Sequence, residues 1–275
     1  MTARVDTDLA MDFERRFGGI ARLYGAPALA NFAAAHVCVV GIGGVGSWAA
    51  EALARSAVGR ITLIDLDHLA ESNTNRQIHA LDGEFGKAKV QAMAERIRAI
   101  NPACVVNGIE EFVSEENVAA LLPPCDAVLD AIDNVRAKAA LIAHCRAAGI
   151  AIVTTGAAGG RRDPTRIQVA DLALTLQDAL ASRLRARLRK EYGFTREPKR
   201  KFGVECVFSA EPVIRPEIDR PACDLDETPG DVRGPKGLNC AGYGSAVTVT
   251  ASFGLTAAAR VLEGLMRSEA VYLQP

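Results

Sequence analysis

The sequence predicts an α/β protein built on a doubly wound, mostly parallel β-sheet. Two observations predict it: short, continuously apolar stretches recur through the first 155 residues, and stretches with helical periodicity separate them. A strand that is buried on both faces needs such a continuous apolar stretch, and helices between strands form βαβ crossovers. A third observation is a glycine-rich turn directly after the first predicted strand. Together these features are typical of Rossmann-like folds.

Each element follows from its own stretch of sequence. The apolar stretches predict strands at residues 36–40, 60–64, 103–108, 127–129 and 150–154, and the periodic stretches predict helices at 45–56, 86–100, 115–121 and 134–148. Further along, we predict strands at 166–169 and 205–209 and helices at 172–191 and 242–267. Residues 1–155 are expected to form a nucleotide-binding core with N-terminal helices. Residues 156–275 are expected to belong to the same domain, completing the sheet and carrying a basic helix.

Composition excludes several classes of protein. The chain has 275 residues, of which 49% are hydrophobic and 24% charged, so it can bury a core and is not disordered throughout. Its net charge is -1, so no overall basic field attracts nucleic acid. Any nucleic-acid site must therefore be a local patch.

The cysteines and the apolar stretches indicate a cellular compartment. The seven cysteines include no CxxC pair, so no zinc site is expected. An odd number of cysteines, with no signal peptide at the N-terminus, is typical of the reducing cytoplasm. Residues 246–259 are apolar, but they are fewer than the roughly 20 that a spanning helix needs. We expect a buried helix there and no membrane insertion.

The glycine-rich turn indicates a phosphate-binding site. Its sequence GIGGVG places Gly41, Gly43, Gly44 and Gly46 between a strand and a helix, where backbone N–H groups can approach a phosphate. Asp65 ends the next strand, at the position of a ribose-binding acid. An NAD-dependent oxidoreductase explains these features as well as any other nucleotide-binding protein.

The residues beyond Asp65 favour nucleotidyl transfer over hydride transfer. The polar residues concerned are Asp67, Asn73, Arg76, Lys89, Asp133 and Asn134. Attack on a phosphate develops negative charge, which fixed Arg and Lys side chains stabilise while a carboxylate holds Mg²⁺. A dehydrogenase does not need these cations and the second acid.

Four motifs carry a resemblance to a known superfamily. GIGGVG, DLDHLAESNTNRQ, GKAKV and DAIDN resemble the ubiquitin-activating enzymes and their bacterial ThiF-like relatives, which adenylate carboxylates. The resemblance implies that Asp65 binds ribose, that Asn73, Arg76 and Lys89 bind the triphosphate of ATP, and that Asp133 binds Mg²⁺. Asp67, in the same acidic turn, and Asn134, beside Asp133, are further candidates for the nucleotide site.

The wider chain resembles one subgroup, the tRNA threonylcarbamoyladenosine dehydratases. The similar stretches cover most of residues 16–209 and also residues 240–246. The resemblance implies a cytoplasmic homodimer that uses ATP to activate a carboxylate on the modified adenosine beside the anticodon, after which a nitrogen of the same modification closes a hydantoin ring. It further implies a tRNA-facing C-terminal part and an association with a cysteine-desulfurase or sulfur-acceptor system.

A basic segment at residues 183–201 supports an RNA substrate. It holds nine basic residues against two acids, and several of them recur at helical spacing, which predicts one broad basic face. Such a face supplies phosphate contacts to RNA, although charged segments often serve only as solvated surface. The nucleic-acid candidates are Arg183, Arg187, Arg189, Lys190, Lys199, Arg200 and Lys201.

Two cysteines outside the nucleotide motifs are candidates for covalent catalysis. Cys240 is the catalytic candidate because a thiol can capture an activated carboxylate as a thioester, whereas Cys206 is expected to pack in a strand. Ring closure within one modification needs no such relay. The alternative functions are a sulfur-carrier adenylyltransferase, which the missing zinc cysteines and the basic helix disfavour, an oxidoreductase, and a noncatalytic docking protein.

Overall fold

The computed structural model describes residues 12–214 and 243–267. A seven-stranded sheet lies at its centre. The strands are β1 (His36–Val40), β2 (Arg60–Ile64), β3 (Val105–Ile109), β4 (Ala127–Asp130), β5 (Ala151–Thr155), β6 (Ile167–Asp171) and β7 (Glu205–Ser209). Their order is β3-β2-β1-β4-β5-β7-β6, and all neighbouring pairs are parallel except β6 with β7. The predicted doubly wound, mostly parallel sheet is confirmed.

Eight helices accompany the sheet in the described residues. They are α1 (Phe13–Tyr24), α2 (Ala26–Ala34), α3 (Gly46–Arg55), α4 (Lys89–Ile100), α5 (Val118–Leu121), α6 (Val135–Ala148), α7 (Ala179–Glu191) and α8 (Val247–Arg267). Strand β7 lies beside β5 although more than 45 residues separate them along the chain. The residues after 155 therefore continue the same sheet.

The sheet is buried on both faces, as the continuous apolar strands require. On β1, Val37 and Val39 face a core that includes residues of α3, α4 and α8, whereas Cys38 and Val40 face a core shared with α6. Gly254 of α8 packs so closely on α3 that a Cβ there would lie 2.3 Å from the Val45 oxygen. Helix α8 is thus part of the core.

Four of the predicted helices begin several residues later than expected. The helix expected at 86–100 begins at Lys89. The helix expected at 172–191 begins only at Ala179, because the Asp178 carboxylate accepts a hydrogen bond from the Ala181 N–H and caps it there. A short 3₁₀ turn, Leu172–Leu174, precedes it. The helix expected at 115–121 is shortened to Val118–Leu121, and that expected at 242–267 begins at Val247 in the described residues.

Candidate nucleotide-binding site and basic surface

The order of the strands places a crevice between β1 and β4. The chain goes from β1 to β2 on one side and returns to β4 on the other, so the loops after β1 and β4 diverge. Ligands of open α/β sheets bind at such a switch point, outside the carboxyl ends of the strands. The glycine turn follows β1, Asp65 follows β2, and the DAIDN motif spans the end of β4. These predicted site residues are therefore at one edge of the sheet.

The glycine turn packs closely against neighbouring backbone at two of its glycines. Gly41 has a φ of 87°, and a Cβ on it would lie 2.9 Å from the backbone of Ala131, in the loop after β4. A Cβ on Gly46 would lie 1.8 Å from the Gly41 oxygen. At Gly43, by contrast, no atom of the described part of the chain lies within 4 Å of a Cβ position. The turn is thus closed against the protein at both ends and open at Gly43, which leaves room for a phosphate.

Asp65 is tied to this turn. Its carboxylate accepts hydrogen bonds from the Ile42 N–H at 2.6 Å and from the Asp67 N–H at 2.8 Å. Burial raises the pKa of Asp65, and the nearby Lys89 ammonium opposes that rise. The Asp65 carboxylate is therefore held rigidly beside the glycine turn.

Lys89 lies at the start of α4 and is almost completely buried. Its Nζ donates to the Asp67 carboxylate at 2.7 Å, and the Lys89 side chain is 7% exposed whereas that of Asp67 is 55% exposed. The pair joins two residues that the sequence analysis assigned to the same site. Lys89 is thus a fixed positive charge near Asp65.

Arg76 packs over the glycine turn. A Cβ on Gly44 would lie 3.0 Å from the Arg76 Cγ, and the Trp48 indole N–H donates to the Arg76 carbonyl at 3.0 Å. Asn73 is buried in the same loop, where its side-chain oxygen accepts from the Ala70 N–H at 3.2 Å. The structure therefore brings Arg76 to the turn and gives Asn73 a role in holding the loop.

The loop after β4 carries Asp133 and Asn134. Asp133 is exposed, two residues beyond Ala131, whose backbone packs against Gly41. Asn134 caps α6, because its side-chain oxygen accepts from the N–H groups of Arg136 and Ala137. The Asn134 side-chain oxygen is therefore engaged in capping the helix, and nucleotide binding by Asn134 stays a prediction.

A buried ion pair beneath this loop was not anticipated from the sequence. Asp130 and Lys138 have side chains that are 0% exposed, with 2.9 Å between Lys138 Nζ and Asp130 Oδ2. The Thr154 hydroxyl donates to the same carboxylate at 2.6 Å, and the Ile132 N–H donates to its other oxygen. The pair fixes the loop that leads to Asp133. The position of Lys138 within an otherwise apolar helical stretch is only a weak sequence signal for such a buried ion pair.

A second buried network lies at the end of β5. Arg161 donates to the carbonyl oxygens of Ala157, Glu211 and Gln177, and its Nη2 lies 3.7 Å from Asp178 Oδ2. The Asp178 carboxylate also accepts from the Ala157 N–H at 2.9 Å. These contacts fasten the loop after β5 to the start of α7. Sequence reasoning missed them because the partners are far apart along the chain.

His79 is buried in the loop between Arg76 and α4. Burial, together with the positive charges of Lys89 and Arg96, lowers the pKa of His79 to about 4. Among the residues that the structure describes, neither ring nitrogen has a hydrogen-bond partner. His79 is therefore neutral at pH 7 and adds no charge to the site.

The basic segment is not one uniform face. Arg187 pairs with Glu191 at 2.7 Å, and Arg189 donates to the Thr195 oxygen while its guanidinium lies over the Phe202 ring. Arg183, Lys190, Lys199, Arg200 and Lys201 are exposed, and Arg200 pairs with Glu197. The predicted broad face is corrected accordingly, because part of its charge packs against the protein.

Of the two cysteines considered for covalent catalysis, the structure describes only Cys206. Cys206 lies on β7, is 1% exposed, and burial raises the pKa of its thiol. The prediction that it packs in a strand is confirmed, and a neutral, buried thiol is a poor nucleophile. Cys240 lies outside the described residues.

Within residues 12–214 and 243–267, no three His, Cys, Asp or Glu side chains form a group that could hold a metal ion. None of the helices in these ranges is long and apolar enough to cross a membrane.

The fold and the site together define a Rossmann-like protein with a candidate nucleotide site, in which Arg76 packs on the glycine turn and Lys89 lies near Asp65. The chain belongs to the ThiF family, which matches residues 18–274. The family resemblance deduced from the motifs is thereby confirmed.

Individual relatives and a solved structure show which proteins of this family the chain is similar to. The tRNA threonylcarbamoyladenosine dehydratase of Escherichia coli is 54% identical over 260 residues, which are 94% of this chain and 96% of that protein. The crystal structure of the E. coli dehydratase in complex with ATP matches with a TM-score of 0.84 and 49% identity, covering 98% of this chain and all of the other. The molybdopterin-synthase adenylyltransferase of E. coli is 36% identical over only 44% of this chain.

Proposed function

We propose that this chain catalyses the ATP-dependent cyclisation of N6-threonylcarbamoyladenosine beside the anticodon of tRNA. The observation that carries the proposal is the match to the E. coli dehydratase along nearly the whole of both chains. A sulfur-carrier adenylyltransferase is disfavoured, because the match to such an enzyme covers less than half of this chain. The enzyme activates the threonyl carboxylate with ATP, and a nitrogen of the same modification then closes the ring.

ATP fits the crevice. The open space at Gly43 accommodates phosphate, and Asp65 lies at the carboxyl end of β2, where a ribose is expected. In this proposal Arg76 and Lys89 stabilise the negative charge that develops on the phosphates as the carboxylate oxygen attacks. The attack breaks the phosphoanhydride bond at that phosphorus, and the other part of ATP departs. A nitrogen of the modification then bonds to the carbonyl carbon and gives up its proton, and the former carboxylate oxygen leaves with the phosphate. The modification loses one water in total.

Mg²⁺ fits the site as a companion of ATP. Asp133 is an exposed carboxylate on the loop that packs against Gly41, and Mg²⁺ is commonly held by one or two carboxylates together with substrate phosphates. Asp133 would hold the ion, which supplies neutralisation of phosphate charge. Asp130 is unsuited to this role, because Lys138 and Thr154 already occupy its carboxylate.

The tRNA is proposed to contact the exposed part of the basic segment. Arg183, Lys190, Lys199 and Lys201 project into solvent and can meet phosphates. A homodimer, a sulfur-acceptor partner and a cytoplasmic location are consistent with the family resemblance and stay predictions. Cys240 also stays a predicted nucleophile, although ring closure within one substrate needs no covalent relay.

Mass analysis of nucleosides tests the proposal. The full chain is incubated with ATP, Mg²⁺ and threonylcarbamoylated tRNA, and the tRNA is then digested to nucleosides. We expect the modified adenosine to lose one water only when ATP is present. An unchanged mass would contradict the proposal, and ATP–pyrophosphate exchange that depends on a sulfur-carrier protein would favour the adenylyltransferase instead.

A further inference from the structure

Asn75 links two parts of the site through one amide group. Its Nδ2 donates to the Ser245 carbonyl at 2.9 Å, and its Oδ1 accepts from Arg76 Nη1 at 2.8 Å. Ser245 lies 170 residues away, in the backbone that leads into α8. Asn75 therefore holds the guanidinium of its neighbour and the start of a distant helix at the same time.

The first contact fixes the direction of Arg76. Arg76 Nη1 also donates to the Ser72 carbonyl at 2.7 Å, so two acceptors from the same turn hold one nitrogen of the guanidinium. The side chain lies over Gly44, where a Cβ would be 3.0 Å from its Cγ. An arginine whose direction is set in advance loses less freedom when it binds phosphate.

The second contact extends to the loop after β5. Next to Ser245, the Gly244 carbonyl accepts from the Gly160 N–H at 2.8 Å, and the Gly160 carbonyl accepts from the Ile214 N–H at 2.8 Å. Gly160 has a φ of 71°, and a Cβ there would lie 2.7 Å from Val213 Cγ1, so this crossing favours glycine. Asn75 thus connects the glycine turn after β1 with the loop after β5.

We propose that Asn75 is a positioning residue that aims the Arg76 guanidinium at the triphosphate and couples it, through Ser245, to the loop after β5. The inference rests on the proposed nucleotide role of Arg76. An amide suits the position because it donates and accepts at once. A carboxylate would keep the acceptor for Arg76 but lose the donor to Ser245.

A double-mutant cycle tests the contact with Arg76. The dissociation constant of ATP is measured by calorimetry for the full chain and for Asn75→Ala, Arg76→Ala and the double variant. We expect Asn75→Ala to weaken ATP binding about tenfold, in the range found when a group that orients a ligand residue is removed. In the Arg76→Ala background the same change should have less than about a twofold effect. Thr74→Ala, an exposed neighbour in the same turn, is the matched control and should bind ATP normally.

The outcomes separate the inference from the proposed function. If Arg76→Ala weakens ATP binding and Asn75→Ala does not, the positioning role is overturned while the nucleotide role of Arg76 survives. Equal losses from Asn75→Ala in both backgrounds would show a general structural effect and would also overturn it. If Arg76→Ala binds ATP normally, the proposed role of Arg76 fails and the inference fails with it.

Hydrogen exchange tests the coupling to Ser245. In Asn75→Asp we expect the Gly160 amide to exchange several times faster than in the parent chain, because the backbone that accepts its hydrogen bond loses an anchor. Thr74→Ala should leave this rate unchanged. An equal rate at Gly160 in Asn75→Asp and the parent chain would overturn the coupling.

Discussion

The crevice at the glycine turn and the basic segment at 183–201 both carry cations, but they hold those cations differently. In the crevice, Lys89 is almost fully buried and paired with Asp67, and Arg76 is packed on the glycine turn. In the basic segment, Lys190, Lys199 and Lys201 project into solvent. The two regions therefore differ in how tightly each charge is positioned.

The difference teaches what each region can recognise. A buried charge must be paired, since desolvation is costly, and the pairing fixes its position. Such cations suit one phosphate geometry, as in a bound triphosphate. Exposed cations are screened by salt and adapt to many positions, as a long RNA backbone requires.

The largest effect is expected from removing a buried lysine beneath the crevice. Lys138→Met leaves the Asp130 carboxylate buried without its cation, which should lower the free energy of unfolding by about 3–5 kcal/mol. Urea unfolding measures the change. Lys201→Met, at an exposed lysine of the basic segment, is the control and should change stability by less than about 0.5 kcal/mol. Equal unfolding midpoints for the two variants would contradict this distinction.

The next effect concerns catalysis in the crevice. Lys89→Ala should reduce the turnover of threonylcarbamoylated tRNA by about 10²–10³-fold, because the fixed charge that we propose stabilises the transition state is lost. Lys87→Ala is the matched control, two residues away and paired with Glu84 and Glu95 at a more exposed position. It should retain turnover within about twofold. Similar losses of turnover in both variants would contradict a specific role of Lys89 and would indicate an effect of the overall positive charge of this region.

The smallest effect is expected from the basic segment. Reversing the charge of Arg183, Lys190, Lys199 and Lys201 to Glu should weaken tRNA binding about tenfold at moderate salt and reduce the slope of log affinity against log salt by about three. Filter binding at several salt concentrations measures both quantities. ATP binding should persist in this variant, since these residues lie outside the crevice. Unchanged tRNA affinity would exclude the segment as the RNA surface.

The sequence predicted the elements well where local patterns encode them. The apolar stretches gave β1, β2 and β7 at the predicted residues, and the glycine turn gave the position of the crevice. The start of α7 was misplaced, because Asp178 is bound both to the helix and to the loop after β5. A cap of this kind depends on a neighbour that the local pattern does not contain.

The sequence predicted which residues lie at the candidate sites, but it did not predict which groups their side chains contact. Arg76 and Lys89 follow from their motifs, whereas the use of Asn134 as a helix cap appears only in the structure. The same holds for two arginines that the charge pattern places on a basic face. In the structure, Arg187 pairs with Glu191 and Arg189 stacks on the Phe202 ring. Charge patterns report where a cation is along the chain and not what it contacts.

The amino-acid sequence by itself determined the class of fold, the glycine turn and the kinds of side chain around it, because periodicity and turn chemistry are local properties. Only the tertiary structure decided the strand order, the burial of Asp130 with Lys138 and the link from Asn75 to Ser245. The physical reason is that these contacts join residues from different elements. Their geometry is set by how the helices and strands pack together.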